Sequence, residues 1–340
     1  MTKNGEFRFR DEFHLEQGGV LHGFRLFYST LGRLNEDHSN VIWVCHALTG
    51  NSDVLSWWGG LFGSGKLYDP DKYFIICANV LGGCYGSTGP LDVDLTTGNR
   101  YYHTFPSLTA RDVVASFDLL RQHLGIHKIH TLIGGSQGGQ HALEWAASNA
   151  EIAENLVVMA ANARHSPWGI AFSETQRMAI RQDPTWVEKR QDAGINGMKT
   201  ARAIAMMSYR CIDIYNSTQT ESNNEKIGNY QASSYQAYQG EKLANRFNAF
   251  TYMILIDMLD SHNIGRGRGG IKAALSAIKT KTLIIGVRSD LLFPVEEQVF
   301  CASYIPDARL EIIESIYGHD GFLVEVESME DSISRFYKNI

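Results

Sequence analysis

The sequence predicts an α/β fold with a mostly parallel central sheet, helices on both faces of the sheet, and an inserted helical cap. Short apolar runs recur along the chain, amphipathic segments separate several of them, and the pattern becomes purely helical between about residues 161 and 274. Strands that alternate with helices form right-handed crossovers, which produce a parallel sheet covered on both faces. The 340 residues are enough for one large core with an insertion.

The elements of the sheet are predicted in chain order. The first is an antiparallel hairpin over 13–34, because apolar and polar residues alternate on either side of Gly18-Gly19. Short apolar runs flanked by turn residues then predict buried strands at 41–45, 73–78, 129–134, 156–160, 282–287 and 310–313. Helices are predicted at 110–123 and 139–147 from the spacing of their apolar residues.

The same pattern divides the chain into two parts. Residues 1–162 and 275–340 are predicted to form the α/β core, and residues 163–274 are predicted to form the cap. The cap segment has helical periodicity, a hinge rich in acid and amide side chains at 216–229, and no convincing strand.

Composition excludes several classes of protein. Lys plus Arg 31 against Asp plus Glu 37 gives a net charge of −6, and without a dense basic run we expect no nucleic-acid partner. The first residues are rich in charge, and no stretch reaches the ~18 apolar residues of a membrane span, so we expect a cytoplasmic protein without membrane contact. Five cysteines without C-x-x-C spacing predict neither disulfides nor a metal site.

A Gly-x-Ser-x-Gly motif, Gly134-Gly135-Ser136-Gln137-Gly138, joins the predicted strand 129–134 to the predicted helix 139–147. A strand, a tight turn and a helix are the setting of a nucleophile elbow, in which the turn presents the serine at the edge of the sheet. The small flanking residues are needed because side chains there would collide with backbone. The alternative is a glycine-rich turn in which Ser136 only caps the helix.

A serine hydroxyl attacks at neutral pH only with a base, and the base is oriented by a carboxylate. Asp290 follows the predicted strand 282–287, and His319 follows the predicted strand 310–313. The order Ser, Asp, His is that of the α/β-hydrolase fold, and both residues lie on loops after strand ends. We therefore predict Ser136, Asp290 and His319 as the catalytic triad. The alternatives are a helix-capping Asp290 and a surface His319.

An acyl-transfer site also needs two backbone N–H donors for the oxyanion. One comes from the residue after the nucleophile, Gln137, and the other from the loop after an early strand, for which we predict Leu48. His46 lies in the same loop, but no cluster of carboxylates and histidines surrounds it in the sequence. We interpret His46 as structural.

Several blocks go beyond the general fold: HALTG at 46–50, NVLGGCYGSTGP at 79–90, GGS at 134–136, ALEW at 142–145, GRGRGG at 265–270 and GHDGFL at 318–323. Together they resemble the homoserine O-acetyltransferase family, and the resemblance spans nearly the whole chain. It implies an acyltransferase that moves an acetyl group from acetyl-coenzyme A, through a Ser136 acyl-enzyme, to L-homoserine for methionine synthesis, with no bound cofactor. It also implies a homodimer formed through the cap.

The resemblance implies three residues that bind the amino acid. Arg202 and Tyr209 lie in ARAIAMMSYR at 201–210, and Asp320 follows the catalytic histidine. A guanidinium suits the carboxylate of the substrate, and a carboxylate suits its ammonium group. The alternatives are a surface arginine and, for Asp320, an N-cap of the C-terminal helix, which does not exclude binding.

The sequence departs from the family at a few positions. Gln137 stands where Met is usual, next to the predicted acyl pocket, and Gln140 stands where Met or a small residue is common. Asn248 and Asn263 replace expected Asp, and Leu91-Asp92 replaces small polar residues. A succinyl-coenzyme A donor, a serine acceptor, and an esterase or thioesterase with the same triad remain the alternative interpretations.

Overall fold

A single eight-stranded sheet organises the chain, in the order β1-β2-β4-β3-β5-β6-β7-β8. The structure is a computed structural model that describes residues 2–338. The strands are β1 (Lys3–His14), β2 (Val20–Leu31), β3 (Val41–Cys45), β4 (Phe74–Ala78), β5 (Ile129–Gly135), β6 (Ala153–Met159), β7 (Lys281–Val287) and β8 (Ala308–Ile313). β2 pairs antiparallel with β1 and β4, and every other pairing is parallel. The predicted mostly parallel sheet is confirmed.

The first hairpin is longer than predicted. The sequence placed its start at residue 13, whereas β1 begins at Lys3. β1 is an edge strand whose charged residues, such as Arg8 and Arg10, face solvent, while Phe7 and Phe13 are buried. A register shift between Phe9 and Glu12 interrupts the alternation. This interruption and the density of charge hide the strand from a search for apolar runs.

Twelve α-helices complete the described chain. They are α1 (Val54–Trp58), α2 (Ala110–His123), α3 (Gln137–Ser148), α4 (Pro167–Arg181), α5 (Ile195–Tyr209), α6 (Ile212–Gln219), α7 (Gln231–Ala244), α8 (Ala249–Ser261), α9 (Ile271–Ser276), α10 (Val295–Tyr304), α11 (Gly321–Val324) and α12 (Val326–Lys338). Short 3₁₀ turns lie at Tyr102–Thr104 and Gly318–Asp320. None of the described helices is both long and apolar enough to cross a membrane.

The helices α4 to α9 occupy the chain between β6 and β7 and form a helical insertion. Its two ends run side by side: the His165 N–H donates to the His262 carbonyl at 3.0 Å, and the Ile264 N–H donates to the Ala163 carbonyl at 3.0 Å. The predicted hinge at 216–229 covers the end of α6 and the connection to α7.

Both faces of the sheet are buried, as helices on two sides require. One face packs a cluster that includes Trp43, Phe117 and Trp145, and the other packs a cluster that includes Trp58 and Phe62. All five residues of β3 are buried. The loops of the candidate site emerge from the carboxyl ends of β3, β5, β7 and β8.

Candidate active site

Ser136 lies between the end of β5 and the start of α3, on a sharply strained turn. Its backbone has φ 58° and ψ −130°, a conformation that side chains rarely adopt. The turn packs so closely that a Cβ at Gly134 would collide with the Gly138 carbonyl, and a Cβ at Gly138 would collide with the Cys45 carbonyl. The strand, turn and helix of a nucleophile elbow are thus present around Ser136.

The three residues predicted as a triad lie within hydrogen-bond distance of one another. The Ser136 hydroxyl lies 2.8 Å from His319 Nε2, and His319 Nδ1 lies 2.7 Å from Asp290 Oδ2. All three residues are buried. Burial alone would lower the pKa of His319, but the charge and hydrogen bond of Asp290 outweigh it and raise the pKa above its ordinary value of 6.5. A histidine in this state is a stronger base for the serine proton.

Two loops hold the acid and the base together. The Ser289 hydroxyl donates to the Ser315 carbonyl at 2.6 Å and accepts from the Gly318 N–H at 3.1 Å, so it links the loop after β7 to the loop after β8. Asp290 Oδ1 accepts from the N–H groups of Leu292 and Phe293 at 2.8 and 2.9 Å. This oxygen closes a turn ahead of α10, whose N-cap is Pro294, so the helix-capping role considered as an alternative does not occur, and the other oxygen faces the histidine.

The two residues predicted as oxyanion donors lie in segments next to the serine. Leu48 follows β3, and Gln137 is the first residue of α3. Within residues 2–338, neither backbone N–H donates a hydrogen bond. Two unsatisfied donors beside a nucleophile suit the negative charge that develops on a carbonyl oxygen. The Gln137 side chain is bonded elsewhere, since its amide donates to the Leu255 carbonyl in α8 at 2.8 Å.

His46 has partners for both ring nitrogens, as a structural residue requires. Its Nδ1 lies 2.9 Å from the Ala47 carbonyl, and its Nε2 accepts from the Val80 N–H at 3.2 Å. Burial lowers the pKa of His46 to about 4, so the ring is neutral and bridges the loops after β3 and β4.

A cavity of about 220 Å³ opens above Ser136, and we call it the catalytic pocket. Its wall consists of Ala47, Leu48, Thr49, Gly50, Trp57, Ser136, Arg202, Tyr209, Arg246, His319, Asp320, Phe322 and Leu323. Four of the five predicted site residues besides the triad thus meet here, and the fifth, Gln137, contributes only through its position next to the serine. No group of three or more His, Cys, Asp or Glu side chains that could hold a metal occurs among the described residues.

The three residues predicted to bind the amino acid lie on one side of the catalytic pocket. The Arg202 guanidinium lies 5.1 Å from the centroid of the Tyr209 ring, and that ring lies 5.9 Å from the His319 ring. Asp320 is at the N-cap position of α11, but its side chain makes no capping hydrogen bond. Burial raises the pKa of Asp320 above its ordinary value of 3.8, which is the cost of holding a carboxylate in the pocket.

Two arginines at the site were missed by the sequence analysis. Arg210 Nε lies 3.0 Å from Asp320 Oδ2, and Arg246 Nη1 donates to the Thr49 carbonyl at 2.7 Å and to the Tyr85 hydroxyl. Arg210 is the last residue of the segment 201–210 that was noted for Arg202 and Tyr209, and Arg246 lies two residues before Asn248. Arg210 directly follows α5 and Arg246 follows α7 by two residues, and the ends of these two helices face the core.

The departures from the family pattern have local partners. Asn248 caps α8, accepting from the Thr251 N–H at 2.9 Å, and Asn263 accepts from the Gly265 N–H at 3.0 Å. Gln140 donates to Asn162 Oδ1 at 2.8 Å. An amide oxygen accepts a cap hydrogen bond as a carboxylate does, so Asn replaces Asp here without loss of the local structure.

Comparison with known proteins agrees with the predicted fold and with the family that the sequence resembles. A family model described as the alpha/beta hydrolase fold matches residues 40–326. A homoserine O-acetyltransferase of Cyclobacterium marinum is 50% identical over 328 residues, which cover 96% of this chain and 93% of that protein. The crystal structure of homoserine O-acetyltransferase from Bacillus anthracis has a TM-score of 0.91 at 25% identity and covers 99% of this chain and 97% of its own. The crystal structure of esterase E22 has a TM-score of 0.89 at 23% identity, covers 99% of this chain and 100% of its own, and shares the fold.

Proposed function

Because the chain belongs to the homoserine O-acetyltransferase family of the α/β-hydrolase fold, we propose that it transfers an acetyl group from acetyl-coenzyme A to L-homoserine through a covalent Ser136 intermediate. The observation that carries the proposal is the meeting of Ser136 and His319 with the opposite charges of Arg202 and Asp320 in one pocket. A zwitterionic acceptor fits such a pocket, whereas water needs neither charge.

In the first half-reaction, the Ser136 oxygen attacks the thioester carbonyl while His319 Nε2 takes the hydroxyl proton. The carbonyl oxygen becomes an oxyanion that the Leu48 and Gln137 N–H groups stabilise. When the tetrahedral intermediate collapses, the carbon–sulfur bond breaks and the imidazolium returns its proton to the leaving thiolate. Asp290 stabilises the positive charge on the ring throughout.

In the second half-reaction, the hydroxyl of L-homoserine attacks the acyl carbonyl, and His319 takes its proton. The same two N–H donors hold the second oxyanion. Collapse breaks the bond to Ser136, which recovers a proton from the imidazolium, and the O-acyl amino acid leaves. Arg202 binds the substrate carboxylate, and Asp320 binds the ammonium group beside Tyr209. The product is an intermediate of methionine biosynthesis in this proposal, and the reaction occurs in the cytoplasm.

We keep the division into a core and a cap at residues 163–274 as part of the proposal, together with a homodimer through the cap. Nine of the seventeen large apolar side chains that are exposed among the described residues belong to this third of the chain. They are Trp168, Ile170, Met178, Val187, Met207, Ile212, Ile227, Tyr230 and Tyr238. Apolar side chains concentrated on one part of a surface are typical of an interface. Sedimentation of the protein as a monomer would remove the dimer from the proposal.

The test of the proposed reaction is the release of free coenzyme A, measured with a thiol reagent. Acetyl-coenzyme A and succinyl-coenzyme A are each supplied with L-homoserine, L-serine or no acceptor, and Ser136→Ala serves as the control. We expect release from acetyl-coenzyme A that depends on L-homoserine, with a product of the mass of O-acetylhomoserine. Release that is indifferent to any amino acid would identify a thioesterase instead, and release only from the succinyl donor would identify a succinyltransferase.

A further inference from the structure

The catalytic pocket is too small for the whole acyl donor of the proposed reaction. Its volume of about 220 Å³ lies below the ~300–1,000 Å³ of cavities that enclose a drug-sized ligand. The phosphate-bearing end of coenzyme A is therefore outside the catalytic pocket while the thioester is at Ser136, and some other surface must bind it.

A second cavity, of about 560 Å³, shares one wall residue with the catalytic pocket, and we call it the outer cleft. It lies between the loop after β4 and the segment that joins α7 to α8, and its wall includes Arg25, Cys84, Arg100 and Asn245. Arg246 belongs to the walls of both cavities. The two cavities therefore meet at the Arg246 side chain, and a long donor that extends from the catalytic pocket past Arg246 would reach the outer cleft.

The arginines of the outer cleft differ in whether a carboxylate neutralises them. Arg25 forms an ion pair with Asp92, and the cleft residue Asp192 pairs with Arg190 at 3.0 Å. Arg100 and Arg246 form no ion pair with any residue in the described chain. Two positive charges thus remain uncompensated in the cleft.

Both of these guanidinium groups are held in place by neutral oxygens. Arg100 Nη1 donates to the Leu91 carbonyl, and Arg246 Nη1 donates to the Thr49 carbonyl and the Tyr85 hydroxyl. Each group is anchored through one nitrogen and retains further N–H donors. A planar guanidinium in a fixed orientation recognises phosphate well, because it loses little conformational entropy on binding.

We propose that the outer cleft binds the phosphates of the acyl-coenzyme A donor, with Arg100 and Arg246 as the cationic contacts. The inference rests on the function proposed above. Arg246 also holds the loop that carries the Leu48 oxyanion donor, so its replacement is expected to change catalysis as well as binding. Arg100 touches only the outer cleft among the two cavities, and it is the residue that tests the proposal.

The experiment compares two donors that differ only in the phosphate-bearing part: acetyl-coenzyme A and S-acetylpantetheine. Acceptor-dependent thiol release is measured for the unchanged protein and for Arg100→Gln, Arg100→Lys and a matched control, Arg33→Gln. Arg33 is an exposed arginine after β2, at the edge of the sheet opposite to Ser136. Circular dichroism and thermal melting check that each variant is folded.

For Arg100→Gln we expect the KM for acetyl-coenzyme A to rise about tenfold, the effect of losing one exposed charge-assisted contact, with kcat unchanged. The KM for S-acetylpantetheine should stay constant, Arg100→Lys should recover part of the loss, and Arg33→Gln should change neither donor. In the unchanged protein, added salt should raise the KM for acetyl-coenzyme A alone.

The proposal is overturned if Arg100→Gln affects both donors equally. It is also overturned if the substitution affects neither donor and the KM for acetyl-coenzyme A does not depend on salt. These results leave the proposed reaction intact, because the unchanged protein still transfers acetyl to homoserine. If the unchanged protein shows no acceptor-dependent release from either donor, the proposed function itself fails, and the inference fails with it.

Discussion

Replacement of Arg202 by methionine separates the two half-reactions. The side chain lies in the catalytic pocket over the Tyr209 ring, and within residues 2–338 it has no ion-pair partner. Its positive charge is therefore available to the acceptor carboxylate. Methionine keeps the length of the apolar stem and removes the charge. We expect acyl transfer to homoserine to fall while the acylation of Ser136 is preserved.

The magnitude follows from the lost contact. Hydrogen bonds to a charged group contribute about 1.5–3 kcal/mol, which corresponds to a loss of about ten- to 150-fold in kcat/KM for homoserine. The cation–π contact with Tyr209 adds about 0.5–1 kcal/mol to the stability of the fold, not to the reaction. Thermal melting measures this second effect separately.

The assay uses p-nitrophenyl acetate, whose burst of p-nitrophenol reports the acylation of Ser136 without any amino acid. Transfer is then measured to L-homoserine and to 3-amino-1-propanol, which is homoserine without its carboxylate. The unchanged protein should prefer homoserine by the same factor that Arg202→Met loses, and the variant should treat both acceptors alike. A variant that keeps the preference for homoserine, or loses the burst in the same proportion as transfer, would refute the role of Arg202.

Three other substitutions test the site and its scaffold. The free energy of unfolding should be about 1 kcal/mol higher for Ser136→Gly than for Ser136→Ala, because glycine relieves ~1–3 kcal/mol of backbone strain and costs ~0.5–1 kcal/mol in entropy. Urea unfolding of both variants measures this difference. A glycine variant that is less stable than the alanine variant would contradict it. The rate should fall as the pH drops through the pKa of His319, which lies above its ordinary value of 6.5, because the histidine must be unprotonated to act as a base. Asp290→Asn should lower kcat by ~10⁴-fold and move this acidic limb of the pH profile to lower pH. A limb that does not move would disprove the coupling between Asp290 and His319. The Glu144 side chain is 3% exposed and pairs with Arg268. Glu144→Gln should therefore lower the free energy of unfolding by about 3 kcal/mol, whereas the same change at an exposed glutamate should leave it unaltered.

The sequence predicted β5 and β7, which precede Ser136 and Asp290, because both strands lie inside the sheet and are apolar on both faces. β8 is an edge strand and only partly buried, and it was predicted from its apolar residues Leu310, Ile312 and Ile313. Ser136, Asp290 and His319 each follow a predicted strand, so their meeting at one edge could be predicted from chain order alone. The start of β1 at Lys3 could not, because an edge strand is only half buried and its charges resemble those of a loop.

Contacts between the insertion and the core were the part that the sequence did not reveal. Arg210 and Arg246 reach the site only because the helices of the insertion fold back over the sheet. The direction of that return depends on the packing of α4, α5 and α8, and not on a local pattern. The positions of the Leu48 and Gln137 N–H groups could be predicted from the sequence. Only the structure shows that these two groups have no acceptor among the described residues.

The contact of Arg246 with Thr49 and Tyr85 bears on the engineering of this enzyme. It joins a residue of the insertion to two loops of the core, one of which carries a predicted oxyanion donor. A chimera that receives its insertion from a relative inherits the new segment's arginine but keeps the recipient's loops. Such a graft should retain its turnover only if donor and recipient match at these three positions, whatever their similarity elsewhere.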